Sequence, residues 1–419
     1  MRIPARARWG AGDQVLSSVT NFAILVLVAR SVGPAELGVF AIFTAGYATV
    51  TFINESLVSE PFVVRHTAVA VATWRTRLSE ASACAIVLGA ICSLGLFGAA
   101  LALGGTLGSL LALGALCAPG LLLQDTIRFA FFAAGRQRSA FLNDLTWGVL
   151  QLIGFVAVET TGTRSLLAVV ATWAGAGAVA GAFGLVQAHV MPQMRGAVAW
   201  LRQHHDLWRY ILLERLSGQG AMYLSLVGIG AIAGLAAVAA VRAAQSLFGP
   251  LYITINAARI VMLPSLVSAA PERRRRLVHA TAIGFILMAA VCGVAITFLP
   301  GRVGVALFGA TWPLVTPLLV FVAAGRVLGS SAEAWRLGLL SAASVRRSLR
   351  ARLVVTAAVI GGTAAGAALA GARGAVIGEA IALALGTAVF AYQFFLSRKR
   401  GAPSARPLPV LTAEPELLS

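Results

Sequence analysis

Apolar runs of about 20 residues recur along the whole chain, and that is the length an α-helix needs to cross a bilayer. Bounded by charge, proline or glycine, they run approximately Asp13 to Arg30, Leu37 to Ser59, Ala81 to Leu103, Leu107 to Ala134, Phe141 to Val158, Leu166 to Val190, Tyr210 to Ala231, Ala236 to Pro264, Leu277 to Leu299, Pro313 to Glu333, Leu353 to Ala370 and Ala375 to Leu396. The tenth is the least sharply bounded, because Trp335 to Ala343 is still apolar. Continuous rather than alternating runs argue against a transmembrane β-barrel. The expected fold is an all-α integral membrane protein of about 12 transmembrane helices. Composition excludes the soluble alternatives: of 419 residues, 59% are hydrophobic and only 11% charged, where a soluble domain carries about a quarter charged. A soluble enzyme, a secreted disulfide scaffold and a disordered chain are all ruled out.

The formal charge of +18 needs a separate explanation. A strongly basic chain usually points to nucleic acid or an anionic membrane surface. Location decides: 23 of the 33 basic residues fall in the loops on one side, from Arg2, Arg6 and Arg8 through Arg273 to Arg276 and on to Arg398, Lys399, Arg400 and Arg406. The opposite loops hold only Arg30, Arg164, Arg302 and Arg373. The positive-inside rule then places both termini in the cytoplasm of a multi-pass protein of the cytoplasmic (inner) membrane. The basic loops face anionic lipid, and nucleic acid is not an expected partner. Arg2 to Trp9 with the following apolar stretch resembles a signal peptide, but Arg30 and Gly33-Pro34 follow instead of a small-residue cleavage site, so it reads as an uncleaved first span.

The division expected is an N-terminal six-helix lobe over 1–190, a cytoplasmic linker over 191–209, a C-terminal six-helix lobe over 210–400 and a disordered tail over 401–419. A faint internal repeat fits it: Leu16-Ser17-Ser18 and Pro61 in the first half match Leu216-Ser217-Gly218 and Pro264 in the second, with Asn54 and Asn256 a few residues before the two prolines. Six spans per half would relate the halves by an axis along the membrane normal. External connections such as Gly104-Gly105, Gly234-Leu235 and Gly371 to Gly374 leave no room for an external domain. No phosphate loop, HExxH or GxSxG motif occurs, and no cofactor is called for. Cys84, Cys92, Cys117 and Cys292 lie in apolar runs without metal or disulfide spacing and read as small buried hydrophobes. Gln203-His204-His205-Asp206, flanked by Trp200 and Trp208, reads as a basic amphipathic segment at headgroup level rather than a metal site. Gly175, Gly177 and Gly181 read as close helix packing rather than a dinucleotide loop.

Six arginines lie inside the spans: Arg128, Arg215, Arg242, Arg259, Arg326 and Arg336. At roughly 2.5 to 3.5 kcal/mol each at a helix centre, they cannot all face lipid. Arg215, Arg259 and Arg336 are close enough to the cytoplasmic face to snorkel. Arg128 and Arg326 are deeper, by about 12 Å from the cytoplasmic face and about 20 Å from the outer face respectively. Arg242 approaches from the outer side. Among the acids, Asp125 with Arg128 and Glu333 with Arg336 are i, i+3 pairs. Glu55, Glu60 and Glu214 have no local partner; Glu60 reads as interfacial and Glu55 as a candidate for proton coupling. Arg242 and Arg326 have no local acid either, and an unneutralised deep arginine is what an anion site needs.

These segments resemble the polysaccharide-biosynthesis and O-antigen flippases. The likeness rests on Leu16 to Phe22, Ala29 to Pro34 and Glu36 to Phe40; on Leu123-Gln124-Asp125-Thr126-Ile127-Arg128-Phe129, Phe132 to Arg136, Asn143-Asp144-Leu145 and Trp147; and on Arg242-Ala243-Ala244-Gln245-Ser246-Leu247-Phe248-Gly249-Pro250. That family belongs to the multidrug/oligosaccharidyl-lipid/polysaccharide exporter superfamily. The resemblance implies two six-helix lobes in a V around a central cavity that opens alternately to each side. It further implies a non-enzymatic transporter that carries an undecaprenyl-diphosphate-linked oligosaccharide outward, with other polysaccharide-assembly proteins as partners. Carried over by segment, Arg128 and Arg242 become cavity residues for the anionic headgroup; Arg326 joins them on depth, and Arg215 and Arg259 by their position in the spans. Asp125, Glu55, Glu214 and Glu333 are the coupling or ion-pair candidates. A cation-coupled small-molecule exporter of the same superfamily is the alternative, and it requires essential acids instead.

Overall fold

The computed structural model describes Thr20 and residues 22–399, apart from 68, 164, 268 and 343. The first-span start at Asp13, the Leu16-Ser17-Ser18 element of the repeat, Arg164 and the tail from Gly401 lie outside the described residues. Among those described, the structure is helical and without strands.

The first half comprises α1 (Phe22–Ser31), α2 (Pro34–Asn54), a π-helical turn (Glu55–Ser59), α3 (Glu60–His66), α4 (Val71–Leu103), α5 (Gly105–Ala133), α6 (Gln137–Thr160) and α7 (Leu166–Ala188). A short α8 (Gly196–Gln203) follows. The second half comprises α9 (His205–Arg215), a second π-helical turn (Leu216–Gly220), α10 (Ala221–Ala233), α11 (Leu235–Ser246), α12 (Gly249–Val267), α13 (Pro271–Thr297), α14 (Gly301–Phe308), α15 (Trp312–Val315), α16 (Leu319–Ser341) and α17 (Val345–Lys399). Among the described residues, nine helical stretches are long and apolar enough to cross a membrane, ten when α11 and the first part of α12 are taken as one span bent by 49°. Non-helical backbone at Ala370 and Gly371 divides α17 into the two parts expected as separate spans, and the short apolar α1 falls within the first expected span, whose start lies outside the described residues. The tenth span runs on to Ser341, past Glu333, because the apolar Trp335 to Leu340 stretch continues the same helix.

Local sequence explains the joints. Gly104 and Gly234 take φ of 61° and 86° where α4 turns into α5 and α10 into α11, a region closed to residues with a Cβ. Pro250 sits in the first turn of α12, where its missing donor is harmless, directly after the 49° bend. The outward faces are apolar, as lipid requires: Leu94 and Leu116 are 77% and 80% exposed. Gly181 packs so tightly on α5 that a Cβ there would fall 2.3 Å from the Gly120 carbonyl oxygen, which is the close packing its sequence context suggests.

The pattern of cores defines the overall shape. Near the glycine turns a single apolar core joins both halves: Val28, Leu37, Phe40 and Val170 bury together with Val238, Ala244, Phe308 and Val315. Here Gly38 of α2 lies against α11, and a Cβ on it would fall 2.0 Å from the Leu235 carbonyl oxygen. Toward the arginine-rich loops the halves have separate cores, one around Phe62, Trp74, Phe131 and Trp200, the other around Leu266, Val278, Leu337 and Phe394. Two bundles that share a core at one end and part at the other form a V whose opening faces the arginine-rich end.

The linker packs against the first half. Trp200 of α8 is fully buried, its indole donating to the Leu57 carbonyl in the first π-turn at 3.2 Å, and His204 stacks on it at 3.9 Å between ring centroids. Arg65 fixes the same segment, donating to the Gln203 carbonyl and pairing with Asp206, each at 2.6 Å. The buried indole N–H thus has its hydrogen-bond partner.

Candidate functional site

A cavity of about 700 Å³ lies at the opening of the V on the side of the second half, walled by α9 with the π-turn that follows it, α10, α12, α16 and α17, with Glu60 contributed by the first half. Its charged lining is Arg215, Arg259, Arg326 and Arg352 against Glu60, Glu214, Glu333 and Glu379. The formal charges cancel. The sequence led us to expect unneutralised arginines; the carboxylates that balance them come from other helices.

Arg326 shows the correction most clearly. Its Nη2 donates to Glu379 Oε1 at 3.0 Å, and its guanidinium lies over the Tyr252 ring, 5.3 Å from the centroid. Gln245 Nε2 holds the other oxygen of Glu379 at 2.9 Å. Glu379 lies inside the twelfth expected span, where its insertion penalty is the signal that a search for i, i+3 neighbours passes over.

Arg215 does not snorkel either. Its Nη2 is 2.9 Å from Glu55 Oε2, its Nε donates to Glu60 Oε1 at 3.1 Å, and its Nη2 also contacts Glu60. Glu55 opens the turn after α2 and Glu60 begins α3, so these bonds cross between the halves. Each partner adjoins a π-helical turn, Glu55 opening the first and Arg215 preceding the second. Such turns are frequent at functional sites because they shift side-chain register without ending the helix.

Arg336, expected to reach the interface, is 6% exposed; it pairs with Glu333 at 2.7 Å and with Glu214 at 3.5 Å. Carboxylates within reach keep it inside. Arg259 is the more exposed partner of Glu333, at 3.9 Å. Arg352, assigned by sequence to a cytoplasmic loop, instead sits in the first turns of α17 and lines the cavity beside Gly218. No hydrogen bond or ion pair joins it to a described residue. Arg242 lines neither this cavity nor the smaller one below; it is half-buried on α11, within electrostatic reach of Tyr223 and Tyr252.

Arg128 is placed differently from the reading as an anion site. It lines a second pocket of about 200 Å³ in the first half, with Glu55, Asp125 and Asp144. Its Nε is 3.1 Å from Asp144 Oδ2. Asp125, read from sequence as the i, i+3 partner of Arg128, accepts from Asn54 Nδ2 and Ser59 Oγ, each at 2.9 Å. Gln124 donates to Asn143 at 3.2 Å and Asp144 at 2.9 Å, and Trp147 Nε1 to the Trp173 carbonyl at 2.9 Å. Of the segments that carried the family resemblance, the stretch from Gln124 to Asp144 thus supplies buried polar contacts, acidic on balance, around this pocket. Glu55 belongs to this pocket and, through Arg215, to the wall of the large one. Among the described residues no group of three or more His, Cys, Asp or Glu is arranged to hold a metal ion.

No family model and no curated protein matches the sequence. Solved structures do match in fold. An inward-facing multidrug resistance MATE family transporter of the MOP superfamily superposes with a TM-score of 0.73 at 14% identity, over 92% of this chain and 96% of that one. The lipid II flippase MurJ in an inward closed conformation gives 0.69 at 10% identity, over 93% and 89%. A MOP superfamily transporter from Pyrococcus furiosus, described as having a binding pocket of reverse polarity, gives 0.61 at 15% identity, over 94% and 95%. The chain is a multi-pass membrane protein with the two-lobed fold of the MOP-superfamily transporters.

Proposed function

We propose that the chain is a flippase, moving a lipid-linked oligosaccharide or polysaccharide precursor on an undecaprenyl-diphosphate carrier outward across the cytoplasmic membrane by alternating access. The observation that carries this reading is the large cavity at the opening of the V, walled by charged side chains that include Arg215, Arg259, Arg326 and Arg352. Pockets for drug-like molecules are mostly apolar and aromatic, with a few polar groups. A wall of guanidinium and carboxylate groups suits a phosphorylated, hydroxyl-rich cargo whose lipid tail remains in the bilayer. The arginine-rich loops, read as cytoplasmic, put the open end of the V where such a precursor is made. Chemistry on the cargo is not required, and the chain acts as a carrier rather than an enzyme.

The second reading, a cation-coupled small-molecule exporter, draws on the acidic pocket of Glu55, Asp125 and Asp144. One assay separates the two. The full-length protein is reconstituted in liposomes with a fluorescent polyprenyl-diphosphate saccharide, and label on each leaflet is scored by a membrane-impermeant quencher. Translocation that Arg326→Gln and Arg352→Gln abolish, with both variants inserted normally, supports the flippase. No translocation, together with export of an organic cation down a proton gradient, replaces it with the exporter.

A further inference from the structure

Glu379 and Tyr252 both engage Arg326, and its Nε is left over. A guanidinium offers five N–H donors in a planar fork that fits phosphoryl oxygens two at a time. Glu379 engages that fork at Nη2, while its second oxygen is turned to Gln245. The Nε of Arg326 is buried and has no hydrogen-bond partner among the described residues. Both side chains are largely buried, 11% and 14% exposed, yet both line the 700 Å³ cavity. Stability alone does not call for such a pair, since apolar residues of similar volume generally serve as well.

The backbone around Glu379 is held firmly. The two parts of α17 fold against each other through glycines so close that a Cβ on Gly378 would fall 1.9 Å from the Gly362 carbonyl oxygen, and one on Gly374 1.9 Å from that of Gly366. Exchange of partners at Arg326 must therefore come from the carboxylate itself. Gln245 offers it a second partner whether it is charged or protonated. The other charged or titratable groups around the pair are Tyr252 on α12 and Arg242 on α11.

Resting on the reading of the large cavity as the cargo site, we infer that Glu379 is an internal counter-anion holding the place of a cargo phosphoryl oxygen on Arg326. The ligand chemistry is a diphosphate. On binding, phosphoryl oxygens take the Arg326 fork, and Glu379 leaves it while staying hydrogen-bonded to Gln245. Because carboxylate and cargo compete for one guanidinium, removing the carboxylate tightens diphosphate binding.

The test is calorimetric titration of the purified full-length protein with a short-chain prenyl diphosphate and, separately, with inorganic pyrophosphate, at pH 8. Glu379→Gln should bind prenyl diphosphate about tenfold more tightly than wild type. Should Glu379→Gln fail to purify as a single species, Glu379→Asp, one methylene shorter, should show the same tightening in part. Wild-type binding that neither variant tightens overturns the inference and leaves the flippase reading standing. Absence of diphosphate binding in every variant overturns both. Pyrophosphate bound as tightly as the prenyl compound, and tightened equally by Glu379→Gln, supports the exchange and assigns it to a soluble anion.

Discussion

Glu55 Oε2 lies 2.9 Å from Arg215 Nη2, and that ion pair spans the two halves of the molecule at the open end of the V. The same carboxylate lines the small acidic pocket, while the arginine lines the large cavity. An event that neutralises Glu55 in the first half therefore loosens a contact with the second. With Glu55 removed, Glu60 and Gln219 still hold Arg215. Arg215→Gln is expected to raise the rate at which a cysteine introduced at Met222 on the cavity wall, in a cysteine-free background, reacts with a water-soluble maleimide, by about tenfold, and Glu55→Gln by less. Unchanged labelling in both would show that the pair does not restrict the opening.

The opposite end closes through a contact that tolerates no side chain. Gly38→Ala forces a Cβ to within 2.0 Å of the Leu235 carbonyl oxygen, so it must wedge α2 from α11. Gly46→Ala, eight residues on in the same helix and facing open space, is the control. Transport in the liposome assay is expected to fall sharply in the first variant and to stay near wild type in the second, with equal insertion of both.

Asn54 is fully buried and its amide donates at 3.2 Å to the Leu122 carbonyl, 2.9 Å to Asp125 and 3.1 Å to Thr126. Asn54→Leu leaves the Asp125 carboxylate short of a donor in a place water reaches poorly. A loss of about 1 to 3 kcal/mol is expected, read as a lower thermal midpoint in detergent. A variant that also carries Asp125→Asn should recover part of it, because the uncompensated charge is gone.

His204 lies outside the membrane spans, 2% exposed against Trp200. Burial, reinforced by Arg65 and Arg77, lowers its pKa below the ordinary histidine value, against the opposing effect of its bond to the Trp200 carbonyl. The folded protein thus binds fewer protons here than the unfolded chain. Stability contributed by neutral His204 is complete above about pH 6.5 and is lost as pH falls from there toward the lowered value. The thermal midpoint should decline between pH 7 and pH 5 in wild type and decline less in His204→Gln.

Of the arginines the sequence singled out, the one expected to matter least for transport is Arg128. It faces Asp144 in the acidic pocket rather than the large cavity. Arg128→Gln should leave prenyl diphosphate affinity within about twofold of wild type while lowering the thermal midpoint. Arg352→Gln, the residue that the loop assignment concealed, should do the reverse.

How far the sequence reached is clear from particular residues. Leu94, Leu116 and their neighbours mark membrane spans because lipid can satisfy no backbone group, so each span must be an unbroken helix with an apolar exterior, a requirement written into consecutive residues. The glycines at 104 and 234 mark turns for an equally local reason, their positive φ. Glu333 with Arg336 was legible because one helix turn brings the two together. Arg326 with Glu379, Arg215 with Glu55 and Glu60, and Arg128 with Asp144 each join different helices, and only the packing of those helices sets which charges meet. The sequence alone determined that charge had to be buried and roughly at what depth. The tertiary structure decided that most of it is neutralised, because a partner at 3 Å across a helix interface carries no signature in the spacing along the chain.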